Sequence, residues 1–371
     1  MTDRTAPETP PGSLAGITVI DLSRVLGGPY CTQMLGDHGA DVLKIEPPQG
    51  DETRVWGPPL ADGSSAYFHG VNRNKRGLTL DLKTDAGRAA LLGLLAGADV
   101  LVENFKPGTM EGWGLGVDLL AERFPRLVHC RISGFGADGP LGGLPGYDAA
   151  VQAMTGLMSI NGDEAGVPTR LGVPVVDMAS GLNAAVGILL ALVERDRSGR
   201  GQFVDIALFD CALSILHPHS ANFLSSGVVP GRSGNAHPNI APYDSFACSD
   251  GAIFLAVGND GQFAKLCAML DTPDLAADPR FATNRDRTAH RDALKALLEG
   301  RFATEAAAPL AARLIGGGVP CAPVLTVAQA LAHPHTGHRE MIVPGEFPGI
   351  AAPVKLSRTP ASYRLPSPSA R

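Results

Sequence analysis

The sequence predicts an α/β protein, with a Rossmann-like parallel sheet in a large domain and a smaller α+β domain after it. Three observations carry that expectation. Short apolar runs alternate with helical patterns from Ile17 to Ile132, as in successive βαβ units. A stretch dense in Gly, Pro, Ser and Asn, from His217 to Asn239, then interrupts the pattern. Beyond it YDSFAC and AIFLAV flank Asp250-Gly251 as a hairpin.

Residues 1–11 are polar and proline-rich and lack the apolar core of a secretory signal, so they read as a disordered tail. Ile17–Ile20 is a short buried strand ending at Asp21. Gly27-Gly28-Pro29 turns the chain into a helix, where a proline suits the first turn. Val42–Ile45 follows as a second strand and closes on Glu46-Pro47-Pro48. After a polar loop through Trp56, NRNKRG (Asn72–Gly77) precedes a strand over Leu78–Leu82. A helix over Asp85–Leu95 then leads to a strand over Val100–Val102, and a helix over Val117–Arg123 leads to one over Leu127–Ile132.

GFGADG, Gly134–Gly139, is a literal G-x-G-x-x-G. The dinucleotide fingerprint needs a helix to open at its glycines, and Pro140, Gly142, Gly143 and Pro145 follow instead. That argues against NAD or FAD, and the lack of a Walker A pattern argues against nucleoside triphosphates. A strand over Phe203–Leu208 and helices near Thr288–Phe302 and Thr304–Ile315 complete the reading. The expected organisation is a discontinuous large domain (12–216 and 335–371), a small domain (240–320), and linkers at 217–239 and 321–334.

With 371 residues, 44% apolar and 18% charged, the chain has ample material for a core. A net charge of −6 argues against nucleic acid or an anionic membrane as partner. The apolar run around Val186–Val193 is too short to span a bilayer, which points to a cytoplasmic protein. Six scattered cysteines without a C-x-x-C pair read as buried thiols of a reducing compartment. His333, His335 and His338 have the residue type for a metal, but their Gly- and Pro-containing segment reads as an exposed loop, and no metal is expected.

The sharpest chemical candidate is Asp177. Val173–Val176 run into it, and an apolar helical pattern (Leu182, Ala185, Val186, Leu189, Val193) runs away from it. Its plain reading is a helix N-cap accepting backbone N–H bonds. A carboxylate held ionised and aimed at such a position is also a competent nucleophile toward an activated acyl group.

Taken together, LAGITVIDLSRVLGGPYCTQMLGDHGADVLKIEPP, NRNKRGLTLDLK, VENFKPGTMEGWGLG, GFGADGP, GYDAAVQAMTGLMS, GVPVVDMASG and SGRGQFVDIALFD resemble the family III CoA-transferases, which include the α-methylacyl-CoA racemases. The resemblance runs from Leu14 to about Pro360. It implies an open ring-like subunit in an interlocked homodimer. It nominates Asp177 as a nucleophile that becomes an aspartyl anhydride and then an aspartyl-CoA thioester. No cofactor is implied beyond coenzyme A, which enters as the acyl-CoA substrate. The resemblance also makes Gly258, Gly261 and Gln262 part of a mobile loop over the active site, although their plain reading is a strand-to-helix turn. For CoA it points to Val25, Leu26, Arg73, Lys75, Leu80, Lys83, Asn104, Phe105, Lys106, Gly146 and Tyr147, with Arg76 a further cation. Pro47 and Gly112 stand where some transferases carry arginine.

Racemases carry histidine at the position of Tyr147, and an unperturbed tyrosine, with a pKa of about 10, is a poor substitute in two-base exchange. Asp260 falls where racemases have a second acid, so racemization stays as the alternative, with a non-catalytic CoA-binding protein as a third. TRLGVPVVDMASG, NAHPNIAPYDSF and GNDGQF are most similar to the succinyl-CoA-dependent dicarboxylate group. There Arg170 either binds a distal carboxylate or forms a structural ion pair.

Overall fold

A computed structural model describes residues 11–60 and 63–369. The expected tail thus falls almost wholly outside the described residues. The chain divides into two units: the first takes residues up to Thr155, Leu171–Ile215 and Pro334 onward, and the second takes Gly156–Arg170 and Leu216–His333.

The first unit is built on six strands: β1 (Thr18–Asp21), β2 (Asp41–Glu46), β3 (Lys75–Thr79), β4 (Val100–Glu103), β5 (Val128–Ser133) and β6 (Phe203–Ala207). All pair in parallel, in the order β3-β2-β1-β4-β5-β6. This doubly wound order reverses between β1 and β4, and open α/β sheets place their ligand crevice beyond the carboxyl ends of the strands at such a point. The helices of this unit up to Ser214 are α1 (Gly27–Asp37), α2 (Ala66–His69), α3 (Asp85–Leu95), α4 (Thr109–Gly112), α5 (Val117–Arg123), α6 (Asp148–Met154), and, beyond α7 (Leu157–Ile160) in the second unit, α8 (Val175–Ser198) and α9 (Leu208–Ser214). Ile20, Leu43, Ile45, Leu91, Leu95, Leu101 and Leu120 pack into one apolar core under α3 and α5. No helix opens at GFGADG; Gly134 and Gly146 pack backbone to backbone, and a Cβ on Gly134 would stand 2.6 Å from the Gly146 nitrogen.

One strand differs from expectation. β3 begins at Lys75, inside the charged NRNKRG segment, and pairs Val42 with Lys75 through Glu46 with Thr79. Hydropathy misplaces it because Lys75 is wholly buried, its ammonium 3.1 Å from Asp21 and donating to Asn72 Oδ1 at 2.8 Å and the Pro29 carbonyl at 2.9 Å. Asp21 accepts further bonds from the Thr32 hydroxyl at 2.6 Å and the Ser23 hydroxyl at 2.5 Å. Burial raises the Asp21 pKa, but Lys75, Lys44 and these hydroxyls outweigh it and bring it to about 2. Lys44 is likewise buried against Asp51 at 3.0 Å.

The apolar pattern of α8 also lies on an unexpected face. Its inner side is made of Val176, Ser180, Gly181, Ala184, Ala185, Ile188, Ala191 and Leu192, whereas Leu182, Val186, Leu189, Leu190 and Val193 are exposed. Small residues face inward because α1 approaches closely there. Among the described residues α8 is the one helix long and apolar enough to cross a membrane, contrary to the short-run expectation. Near its C-terminal end Arg195 is buried and bonded to Asp99 at 2.9 Å, as in a helix laid on a protein core.

The second unit holds α10 (His219–Ser226), the antiparallel β7 (Tyr243–Cys248), β8 (Gly251–Ala256) and β9 (Cys321–Pro323), then α11 (Asp260–Met269), α12 (Pro273–Ala277), α13 (Asn284–Ala289), α14 (Arg291–Phe302) and α15 (Ala307–Gly316). Phe246, Ile253, Leu255, Phe263, Phe281, Leu298, Phe302 and Leu314 form its core. This unit takes in 217–239, within which α10 forms, and 321–333, where Cys321 pairs with Leu255. Their turn-rich composition hides pairing that only distant partners supply.

Removing one member of a buried ion pair costs about 3–5 kcal/mol because the other is left uncompensated. Lys75→Met is expected to lose stability on that scale in urea unfolding, and Asp21→Asn combined with it to recover part of the loss.

Candidate active site

Asp177 lies in the first turn of α8, but it is not the cap. The helix begins at Val175, and the orphan N–H groups of Val176 and Asp177 donate to Asp148 Oδ2 at 2.8 and 3.2 Å. Asp148 starts α6 and is itself held by Gln152, whose Nε2 donates to Oδ1 at 2.6 Å; the Gln152 side-chain Oε1 accepts from the Leu171 nitrogen at 2.9 Å. The capping assigned to Asp177 by sequence is therefore done by an acid distant in the chain. Asp177 is left half-buried with its oxygens accepting no hydrogen bond and meeting no cation among the described residues.

The electrostatic consequence reverses the expectation of a readily ionised group. Burial, and after it the charge of Asp148, push the Asp177 pKa up to about 7. Near neutral pH it is divided between acid and carboxylate. Four buried carboxylates nearby are matched by cations: Asp21 with Lys75, Asp51 with Lys44, Glu46 with Arg54 and Glu103 with Arg131. An unpaired carboxyl with a strongly raised pKa, at the ligand-binding end of a parallel sheet, is a functional-site signature.

Tyr67 was not singled out by sequence and belongs to the same site. Burial, followed by the charges of Asp177, Asp148 and Asp51, pushes its phenol up to about 12, so it remains a neutral donor. The Trp56 ring packs edge-on against it at 5.0 Å. Asp148 did have a sequence signal, an acid directly after Tyr147 at a helix start; Tyr67, in a short helix after a polar loop, had none.

The loops of the crevice hold several expected CoA-site residues. Val25 has φ of +69°, a left-handed conformation costly for a β-branched residue, and Leu26 is buried at the start of α1. Asn104 ties the β1 and β4 loops together: it accepts from the Arg24 nitrogen at 2.9 Å and donates to the Arg24 carbonyl at 2.7 Å. Phe105 is half-buried beside it, and its nitrogen donates to Glu103 at 2.8 Å. Leu80 is half-buried next to β3, Gly146 packs on Gly134, and Tyr147 is 65% exposed ahead of α6.

The expected phosphate cations divide. Lys75 is a correction: sealed in the core against Asp21, its ammonium cannot meet a phosphate. Arg73 grips both oxygens of Asp37 and the Ile350 carbonyl, and Arg76 grips both oxygens of Asp41. Lys83 and Lys106 are exposed, with no side-chain partner among the described residues.

Arg170 and the Gly258–Gln262 loop fall in the second unit. There Asn259 caps α11 by accepting from the Gln262 nitrogen at 2.9 Å, and the Gln262 side chain reaches back to the Gly258 nitrogen at 2.8 Å. Gly261 lies in the first turn of α11. Asp260 accepts from Arg287 at 2.6 Å. No group of metal-ligating side chains occurs among the described residues, and His333, His335 and His338 do not form one.

Against known proteins, the description of CoA-transferase family III matches residues 14–370, and the chain belongs to that family of enzymes. A succinate–glutarate CoA-transferase from Agrobacterium fabrum is 42% identical over 96% of this chain and 92% of its own. An acetyl-CoA:oxalate CoA-transferase from Acetobacter aceti is 42% identical over 95% and 91%. Among solved structures, a CAIB/BAIF family protein from Brucella suis superposes with a TM-score of 0.87 at 43% identity, over 97% of this chain and 96% of that one.

A carboxyl whose pKa in the folded chain lies above its ordinary value of 3.8 binds a proton that the unfolded chain has released, so it weakens the fold progressively between there and about 7. Asp177→Asn is expected to match wild-type thermal stability near the bottom of that window and to exceed it at its top and above. Melting temperatures taken across the window check this.

Proposed function

We propose that this chain moves CoA from an acyl-CoA, succinyl-CoA being the leading donor, to a small dicarboxylic acid, with Asp177 as the nucleophile. The observation that carries the reading is the half-buried Asp177 carboxyl, which has no partner and lies beside Asp148. A carboxylate relieved of hydrogen bonds keeps its lone pairs for attack, and a pKa of about 7 leaves a usable ionised fraction at neutral pH.

The steps conserve the thioester's activation. An Asp177 oxygen attacks the acyl-CoA carbonyl and the CoA thiolate leaves, giving a mixed anhydride. The thiolate attacks the Asp177 carbonyl, releasing the donor carboxylate and leaving an aspartyl-CoA thioester. The acceptor carboxylate displaces CoA to form a second anhydride. CoA then attacks the acceptor's carbonyl and restores Asp177. Exclusion of water protects both intermediates. Val25, Leu26, Leu80, Lys83, Asn104, Phe105, Lys106, Gly146 and Tyr147 are assigned the CoA path. Tyr67 is a neutral donor for a developing oxyanion.

Racemization of a 2-methylacyl-CoA is disfavoured, because a tyrosine stands at 147 and Asp260 is engaged by Arg287. Asp177→Ala is expected to abolish transfer, and hydroxylamine added during turnover to modify Asp177 in the wild type, as read by peptide mass. Full turnover by Asp177→Ala, or α-proton exchange into deuterated buffer without acyl transfer, ends the proposal.

We infer that the protein is a homodimer in the cytoplasm and that a second copy covers the outer ridge of α8. Leu182, Val186, Leu189, Leu190 and Val193 are each at least 40% exposed on a single helix, a contiguous apolar surface that a lone soluble chain rarely presents. Val186→Glu with Leu190→Glu is expected to shift the dimer to monomer in analytical ultracentrifugation. An unchanged dimer would place the contact elsewhere.

A further inference from the structure

Arg73, Lys75 and Arg76 are each bound to a carboxylate, and Lys83 and Lys106 lie exposed on the surface. Arg24, which no sequence motif assigned, stands unengaged. It follows β1, at the point where the strand order reverses. Its backbone is clamped in both directions by Asn104, and its Cζ lies 5.7 Å from the centroid of the Phe105 ring. Its Nε is sealed from solvent without an acceptor, and no carboxylate pairs with it among the described residues. A guanidinium stays charged at any working pH, and a buried N–H with no acceptor is unfavourable until a ligand supplies an oxygen.

The same loop leads to the nucleophile. Val25 holds the strained left-handed conformation, and a Cβ on Gly27 would stand 3.9 Å from Asp177 Oδ1. Strain persists only where the surroundings dictate the backbone, and here the Asn104 clamp and the packing of α1 do so on either side of Val25.

We propose that Arg24 is a substrate-binding residue. Its guanidinium, backed by the Phe105 ring, takes an oxyanion of the reacting pair, either a phosphate of the acyl-CoA or the distal carboxylate of the acid. The planar fork suits either group. This assignment rests on the CoA-transferase reading.

The test compares full-length wild type, Arg24→Gln and Arg24→Lys, with thermal unfolding to check folding. Each is assayed with an acyl-CoA, with the same acyl group on phosphate-free pantetheine, and with a dicarboxylic and a monocarboxylic acceptor of equal length. Arg24→Gln is expected to raise one KM by on the order of 10- to 100-fold, the worth of a charge-assisted hydrogen bond, while kcat changes little. Arg24→Lys recovers only part, because a single ammonium lacks the fork. A defect present with acyl-CoA and absent with acyl-pantetheine identifies the phosphate. A defect present with the dicarboxylate and absent with the monocarboxylate identifies the carboxylate. Unchanged KM values throughout, or an equal loss on every substrate, overturn the proposal. If wild type transfers from no acyl-CoA, the functional reading fails instead, and calorimetric titration of CoA and of the dicarboxylate decides Arg24: weaker binding of either by Arg24→Gln supports it, equal binding refutes it.

Discussion

The close approach of α8 to α1 is the constraint on which the site depends. A Cβ on Gly181 would stand 2.6 Å from the Gly27 carbonyl oxygen, and one on Gly27 would stand 3.2 Å from the Asp177 carbonyl oxygen. Real Cβ atoms do not come as close as the first distance, and the second is tighter than most of their contacts, so two glycines let the start of α1 and the first turns of α8 meet backbone to backbone. Because α1 follows β1 directly, this contact brings the Asp177 carboxyl to the end of the sheet where the strand order reverses. It also explains why the inner face of α8 is built from small residues while its larger aliphatic side chains point outward.

Around that contact, charge is distributed unevenly. The carboxylates beneath the crevice are each matched by lysine or arginine, which fixes the loops that leave β1, β2 and β4. Asp148 satisfies the exposed N–H groups at the start of α8 and so relieves Asp177 of a structural duty. Two acids adjacent in space thus differ by environment: one is engaged by hydrogen bonds, and the other has none and a pKa near neutrality. The second case suits a nucleophile that must be ionised to attack an acyl-CoA, yet must shed that charge when it becomes an anhydride.

The second unit has its own core and its own electrostatic anchor. Arg287 is wholly buried, stacks on Phe263 at 4.6 Å and holds Asp260 at the start of α11. The Gly258–Gln262 turn is further closed by Asn259 and by the Gln262 side chain. An acid held in this way contributes to the shape of the turn.

Read alone, the sequence determined the alternation of strands and helices, the absence of a dinucleotide helix after GFGADG, the hairpin at Asp250-Gly251, and, through several ordered motifs, the family. Those features are local: periodicity, turn residues and contiguous motifs carry them without reference to distant partners. The tertiary structure alone decided that β3 starts at a buried lysine, that Asp148 caps α8, that Tyr67 joins the site, that the apolar ridge of α8 faces outward, and which cations are already engaged. Each of these depends on a group far away in the chain, such as Asp21 for Lys75, Asp148 for Asp177 and Gly27 for Gly181. The free energy of a charge or a buried face is set by its neighbours in space, and one-dimensional order does not reveal them.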